Sequence, residues 1–285
     1  MTHEDRHRGR HPGDERLFEA SELPALRAAT DDLSWLLTRG YAEPSALKLV
    51  GDRHELSARQ RQAVGRSACA DTARQSRQAR RLTRAQLGGR ALALDGLNCL
   101  ITVESALAHG IVLRGRDGAL RDLASVHGTY KQVAETSFGI EMIGRHLHGR
   151  GEMDPAQQVP EVRWYLDRPV ANSGRLRALL LETAERRGWP WSVDLVTNPD
   201  AVLIQQDAVV GTSDAWILDR CPSWFDLLDS LLSGGNPGPV SGPVSGPISP
   251  GPAPDLSGPI LAARPGLWLL DLGSPAPSDS GIGGL

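Results

Sequence analysis

Three aspartates stand directly behind short apolar runs. Ala91-Leu-Ala-Leu leads into Asp95, Val162-Arg-Trp-Tyr-Leu into Asp167, and Ala208-Val-Val-Gly-Thr212 into Ser213-Asp214. If the runs are neighbouring parallel strands, their carboxylates share one sheet edge, where open α/β sheets bind ligands. Carboxylates gathered away from water repel one another unless a cation joins them. The occupant that suits oxygen donors is a hard divalent ion, Mg²⁺ or Mn²⁺. Two such ions over a phosphodiester can stabilise both its attacking and its leaving oxygen. A strand-end Asp also serves simply to bond local backbone groups, so a structural role stays open for each.

Other groups could bind rather than react. Asp167 to Arg175 joins a strand to a helix start, where Ser173, Gly174 and Arg175 could hold a phosphate on free N–H groups; Asn172 or Ser173 as an ordinary cap is the alternative. Arg74, Arg77, Arg81 and Arg84 recur at i, i+3, i+7 and i+10. Helical spacing gathers them on one face, which predicts a track along a nucleic-acid backbone or a merely solvated face. His127 could act as a general base or touch a phosphate, or could simply belong to a turn. Arg114, Arg116, Asp117, Arg121 and Asp122 crowd one segment that surface ion pairs explain as well as catalysis does. No P-loop, no Gly-x-Gly-x-x-Gly after a strand and no Gly-x-Ser-x-Gly elbow is present.

The elements that must carry these residues fall into four stretches. Residues 1–21 are polar and read as disordered. Residues 22–87 read as an all-helical, basic module. Leu23, Leu26, Leu33, Leu36 and Leu37 keep helical spacing, with Asp31 or Asp32 capping a second helix. Pro44 opens another helix, Ser57 to Gln60 has capping-box form, and Asp71 starts one running to about Leu87. Between Arg53 and Arg90 there are ten arginines against two acids, Glu55 and Asp71. Residues 90–233 read as an α/β domain. Its strands lie near Ala91–Asp95, Ile111–Leu113, Val162–Asp167, Val193–Val196 and Ala208–Thr212, and its helices over Ile101–His109, most of Leu120–Leu147, Ser173–Arg187 and Trp216–Leu232. Strands alternating with helices predict a parallel sheet. Residues 234–285 are rich in Gly, Pro and Ser and read as a disordered tail, with residues 237–285 dispensable for folding. Leu267-Trp-Leu-Leu270 is an apolar island within it, a docking motif or an inert remnant.

The whole chain sets bounds. It has 285 residues, 40% hydrophobic, with a net charge of -3. Cys69, Cys99 and Cys221 are too few and too widely spaced for a disulfide framework or a zinc knuckle. No apolar run approaches a membrane span, and the N-terminal residues lack a secretory apolar stretch. The expectation is a soluble cytoplasmic protein without membrane contact, in an oligomeric state that the residues leave open.

Particular motifs carry a resemblance. Leu94-Asp-Gly-Leu-Asn98 resembles the first-strand signature of the PIN-like nuclease superfamily, its NYN branch above all, and Thr212-Ser-Asp-Ala-Trp-Ile217 resembles that superfamily's late Thr/Ser-Asp motif. Across residues 29–233 the chain also resembles the prokaryotic domain-of-unknown-function family 434, through Leu47–His54, Arg116–Asp122 and Asn172–Arg175. The resemblance implies an α/β fold with a parallel sheet of PIN-like type behind the helical module. It implies a Mg²⁺- or Mn²⁺-dependent ribonuclease. Asp95 and Asp214 would hold metal, Asp167 would be the intermediate acid also placed among its ligands, and Asn98 and Ser213 would support them. The second late acid of the superfamily would be Asp219, and Glu104 lies on the helix after the first strand. RNA is the expected partner. The alternatives are a non-catalytic nucleic-acid-binding protein and an interaction module that finds a protein partner through its tail.

Overall fold

The structure, a computed structural model, describes residues 7–8, 11–124, 128–149, 159–233 and 267–274. His127, residues 1–6 and 9–10, and most of the tail from residue 234 lie outside the described residues; the expectation of a disordered 1–21 is corrected, because Asp14–Leu17 form a helix and Asp14 and Phe18 are buried.

The expectation of a parallel sheet is met. Strands β1 (Arg81–Leu82), β2 (Leu92–Asp95), β5 (Val162–Asp167), β6 (Trp191–Val196), β7 (Val209–Gly211) and β8 (Trp224–Phe225) form one sheet in the order β1-β8-β7-β2-β5-β6, parallel throughout. Both faces are covered, so the central strand β2 is buried at all four positions and reads as an unbroken apolar run. Its side chains still alternate. Leu92 and Leu94 enter a core with Trp164, Leu166, Leu100 and Ile140, while Ala93 enters the opposite one with Val210, Ile217 and Trp224. Two glycines permit the close approach around β2. A Cβ on Gly211 would meet Leu94 at 2.3 Å, and one on Gly96 would meet Leu166 at 2.6 Å and the Tyr165 carbonyl at 2.9 Å. Helices α6 (Gly96–Leu107), α7 (Thr136–His148), α8 (Ser173–Arg187) and α11 (Leu227–Ser233) accompany this sheet, with short helices α9 (Pro199–Leu203) and α10 (Ala215–Leu218) at its carboxyl edge.

Strand β3 (Ile111–Arg114) departs from expectation. It joins a second, three-stranded sheet, antiparallel to β4 (Leu120–Asp122) and parallel to β9 (Trp268–Asp271). The helical reading from Leu120 is therefore corrected: its first three residues pair with β3, and helix begins only at Thr136. The apolar island is corrected too. Leu270 and Leu272 are buried among Ile111, Leu113, Leu26 and Leu33, and Arg27 Nε donates to the Asp271 carbonyl at 2.8 Å. Residues 237–285 are thus not uniformly dispensable, because β9 closes a core.

That core belongs to the N-terminal helices, α1 (Asp14–Leu17), α2 (Leu23–Thr38), α3 (Glu43–Arg53), α4 (Ala58–Ser67) and α5 (Asp71–Arg80). The α4 capping box is present as expected, Ser57 accepting from the Gln60 amide while Gln60 reaches back to the Ser57 amide. Asp31 and Asp32 cap nothing: Leu26, Ala29 and Leu33 keep one buried stripe through them, so α2 is continuous. The helices have no core of their own but share one with β3 and β9.

Candidate functional site

Chain order fixes where the site lies. From β2 the chain winds outward through β5 to β6, then returns to the other side of β2 as β7 and β8. The reversal falls between β2 and β7, and the crevice beyond their carboxyl ends is where such sheets bind ligands. Asp95 ends β2, and Thr212, Ser213 and Asp214 follow β7.

Local bonds tie the two strand ends together. Thr212 Oγ1 donates to Asp95 Oδ2 at 2.9 Å and accepts from the Asp214 amide at 3.0 Å. Asn98 Oδ1 accepts from the Ser213 amide and hydroxyl, at 2.9 and 3.0 Å. Asp214 Oδ1 caps α10, accepting from the Trp216 and Ile217 amides at 2.8 and 3.1 Å. Asp95 is 7% exposed and makes no ion pair with a cationic side chain among the described residues. Burial pushes its carboxyl up to about 7, and the charges of Asp214, Asp200 and Asp167 push the same way against the Thr212 hydroxyl. Burial also raises Asp167, and it raises Asp200 together with the charges of Asp214 and Asp167. The sequence reading missed Asp200. It follows β6 behind Asn198-Pro199 rather than ending an apolar run, and reading one turn past each strand would have found it.

The donor types suit a hard divalent cation, but their present spacing does not. Among the described residues, no three His, Cys, Asp or Glu side chains converge closely enough to hold one ion.

Other expected site residues lie apart from this edge. Asp219 receives Arg77 Nε at 2.7 Å, and Arg77 Nη1 reaches Asp117 at 2.7 Å. Glu104 is buried in a separate polar pocket, where Tyr130, Thr136 and Arg8 donate to it; burial raises its carboxyl against those contacts. At the start of α8 the amides of Ser173, Arg175 and Leu176 already donate to Val170 and Asn172 carbonyls, Ser173 Oγ is buried without a partner among the described residues, and Arg175 is exposed. Few free N–H groups remain there for a phosphate.

The arginine stripe is corrected. Helix α5 stops at Arg80 because Arg81–Leu82 pair with Trp224–Phe225 as β1, so the four arginines do not share one helix. Arg77 is buried, Arg81 reaches Asp229, and Arg84 donates to the Leu147 carbonyl. The crowded segment is corrected as well, from surface pairs to an interior clamp. Asp117, 1% exposed, lies between Arg77 and Arg121, and Arg121 Nε donates to the Ser213 carbonyl at 2.8 Å. Burial alone would raise Asp117, but the Arg121 and Arg77 guanidiniums hold it well below the usual carboxylate range.

An open cleft of about 800 Å³ lies between the N-terminal helices and this edge. Leu37, Leu47 and Ala73 line one wall, Asn98, Ser213, Asp214 and Trp216 the other, and Arg66, Arg77 and Arg121 also reach it. Asp95 is not among the lining residues; its partner Thr212 precedes Ser213, which is.

Comparison with known proteins divides the chain at the same seam. The family model described as a domain of unknown function, DUF5616, matches residues 84–230, more than half of the chain. The chain belongs to the DUF5616 family. The model described as a protein of unknown function, DUF434, matches residues 25–80. The expected family 434 resemblance over 29–233 is therefore supported in the helical part, while the DUF5616 segment carries five strands of the six-stranded sheet, β2, β5, β6, β7 and β8. The uncharacterized protein MJ0935 of Methanocaldococcus jannaschii is 25% identical over 197 residues, covering 68% of this chain and 89% of that protein. No solved structure matches. Among the described residues, no helix is long and apolar enough to cross a membrane.

Proposed function

We propose that this chain is a metal-dependent ribonuclease of PIN-like type whose site is the shared carboxyl edge of β2 and β7. The observation that carries the reading is Asp95: a buried carboxylate at the reversal point, its pKa raised further by the charges of Asp214, Asp200 and Asp167 and, among the described residues, without a cationic partner. Strand order supports it, since β2 and β7 are neighbours, Asp95 ending the first and Asp214 following the second. So does the tethering of Thr212 and Asn98, which fixes both strand ends. On this reading Asp95 and Asp214 would hold Mg²⁺ or Mn²⁺ once their side chains converge, with Asp167 and Asp200 adding negative charge. Such an ion would supply charge stabilisation at phosphate oxygens. The chain's own residues contribute rigidity: Arg121 fixes the Ser213 carbonyl, and Thr212 holds one oxygen of Asp95.

A second reading, a nucleic-acid-binding protein without catalysis, is favoured by the capping role of Asp214 and by the lack of convergence among the acids. One experiment separates the two. Melting temperature is measured with and without Mn²⁺ or Mg²⁺ in the wild type and in Asp95→Asn, alongside cleavage of single-stranded RNA. The ribonuclease reading expects metal to stabilise the wild type but not the variant, and cleavage to fall by orders of magnitude in the variant. RNA binding with neither metal stabilisation nor cleavage would establish the second reading instead.

A further inference from the structure

We propose that Trp216 is a stacking platform for one base of single-stranded RNA at the mouth of the cleft, a role that rests on the RNA reading above and names what the cleft grips. Trp216 is 43% exposed, although an indole is the largest apolar group available to bury. It lies two residues beyond Asp214, in the first turn of α10, and lines the open cleft, whose volume of about 800 Å³ is in the range of small-ligand sites. The Arg220 guanidinium lies 4.2 Å from the ring centroid, and its Nη1 donates to the Trp216 carbonyl at 2.9 Å. An indole braced by a guanidinium is a preformed surface for a nucleobase, because every base offers a π face.

Charge and hydrogen bonding in the cleft favour a base over a bare phosphate chain. Its arginines are largely committed: Arg77 and Arg121 to Asp117, Arg61 to Asp52, Arg66 to the carbonyls of Asp122 and Ala124. Two amides are not. Asn98 Nδ2 and the Gln62 side chain make no hydrogen bond among the described residues, and both line the cleft. Amides of this kind read the donor and acceptor edge of a base, while Arg220, which has no carboxylate partner among the described residues, is left for the adjoining phosphate.

The test uses the full chain in EDTA, so that no cleavage or metal binding intervenes. Fluorescence anisotropy compares labelled pentamers of adenylate and uridylate with an equally charged pentamer of abasic ribose phosphates. The wild type should prefer the base-bearing pentamers by roughly tenfold or more. Trp216→Ala should lose most of that preference with its melting temperature unchanged, and Trp216→Phe should keep part of it. Trp35 is the internal control. It is also exposed and stacked by an arginine, Arg39 at 3.5 Å, but it does not line the cleft, so Trp35→Ala should leave the preference intact. The proposal is overturned if the abasic pentamer binds equally well, if Trp216→Ala keeps the full preference, or if no pentamer binds at all, the last outcome assigning Trp216 to a protein partner. The ribonuclease reading is decided separately, by the metal response of Asp95.

Discussion

Asp95 and Asp117 are both buried, and they titrate in opposite directions. Asp95 faces Asp214, Asp200 and Asp167 and is pushed up to about 7. Asp117 lies between two guanidiniums and is held far below its ordinary range. Burial penalises the charge of each, so burial cannot tell them apart. The partners do. A carboxylate between arginines is a finished structural unit, whereas one among other carboxylates is left with its charge uncompensated. The two stand on one framework, because Arg121 grips Asp117 with one part of its fork and the Ser213 carbonyl with another.

The contrast can be broken first at Asp117. Asp117→Asn leaves Arg77 and Arg121 buried without their shared carboxylate and should cost roughly 3–5 kcal/mol, read as a large fall in urea midpoint. A loss below about 1 kcal/mol would erase the distinction. Because its folded pKa is depressed, this contribution is fully present above the unfolded carboxylate pKa and is lost only as pH falls towards the depressed value.

Asp95 should show the opposite sign. Its folded carboxyl keeps a proton up to about pH 7, while the unfolded one loses it near 3.8. Stability contributed by the protonated group is therefore lost as pH rises between those values. Asp95→Asn should remove that descent and, at pH 8 in EDTA, gain on the order of 1–3 kcal/mol. Other buried acids, Asp122 and Asp226 among them, are raised as well, so the difference between variant and wild type at pH 5 and pH 8 is the quantity to measure. A variant less stable than the wild type at pH 8 would make Asp95 a structural residue like Asp117.

The smallest expected effect sharpens the comparison from outside. Asp219 also pairs with Arg77, but its side chain is 39% exposed. Asp219→Asn should cost no more than about 1 kcal/mol, since water screens the pair and Asp117 still holds Arg77. A cost near that of Asp117→Asn would mean that Arg77, not the depth of its partner, sets the energetics.

The sequence made the strand-end acids readable because β2 and β5 are apolar enough to announce themselves and end on the residue of interest. Helix α8 was equally plain, from its start at Ser173 to Gly188 in the left-handed conformation that ends it. What escaped was set by distant partners. Arg77 keeps a helical spacing that suggests an exposed stripe, but Asp117 and Asp219 draw it inside. Strands β1 and β8 are two residues each: β1 exists only by pairing with β8, and β8 only because β7 and β1 flank it. Strand β4 contains Arg121 and Asp122, whose charges hide a buried strand until their partners are known. Trp216 carried no signal at all, since an exposed tryptophan and a buried one look alike in a sequence.

The pairing of β9 with β3 sets an order of assembly. It joins residues 111–114 to residues 268–271, one of the longest separations in the chain, and the loop-closure entropy of such a contact must be met before the contact returns anything. The six-stranded sheet is complete once Phe225 has been made. The core shared by α2, α4 and β3 is not, and during synthesis its apolar edge must wait open until Leu270 and Leu272 arrive. The helical region that precedes the sheet in the chain is therefore the last to be sealed.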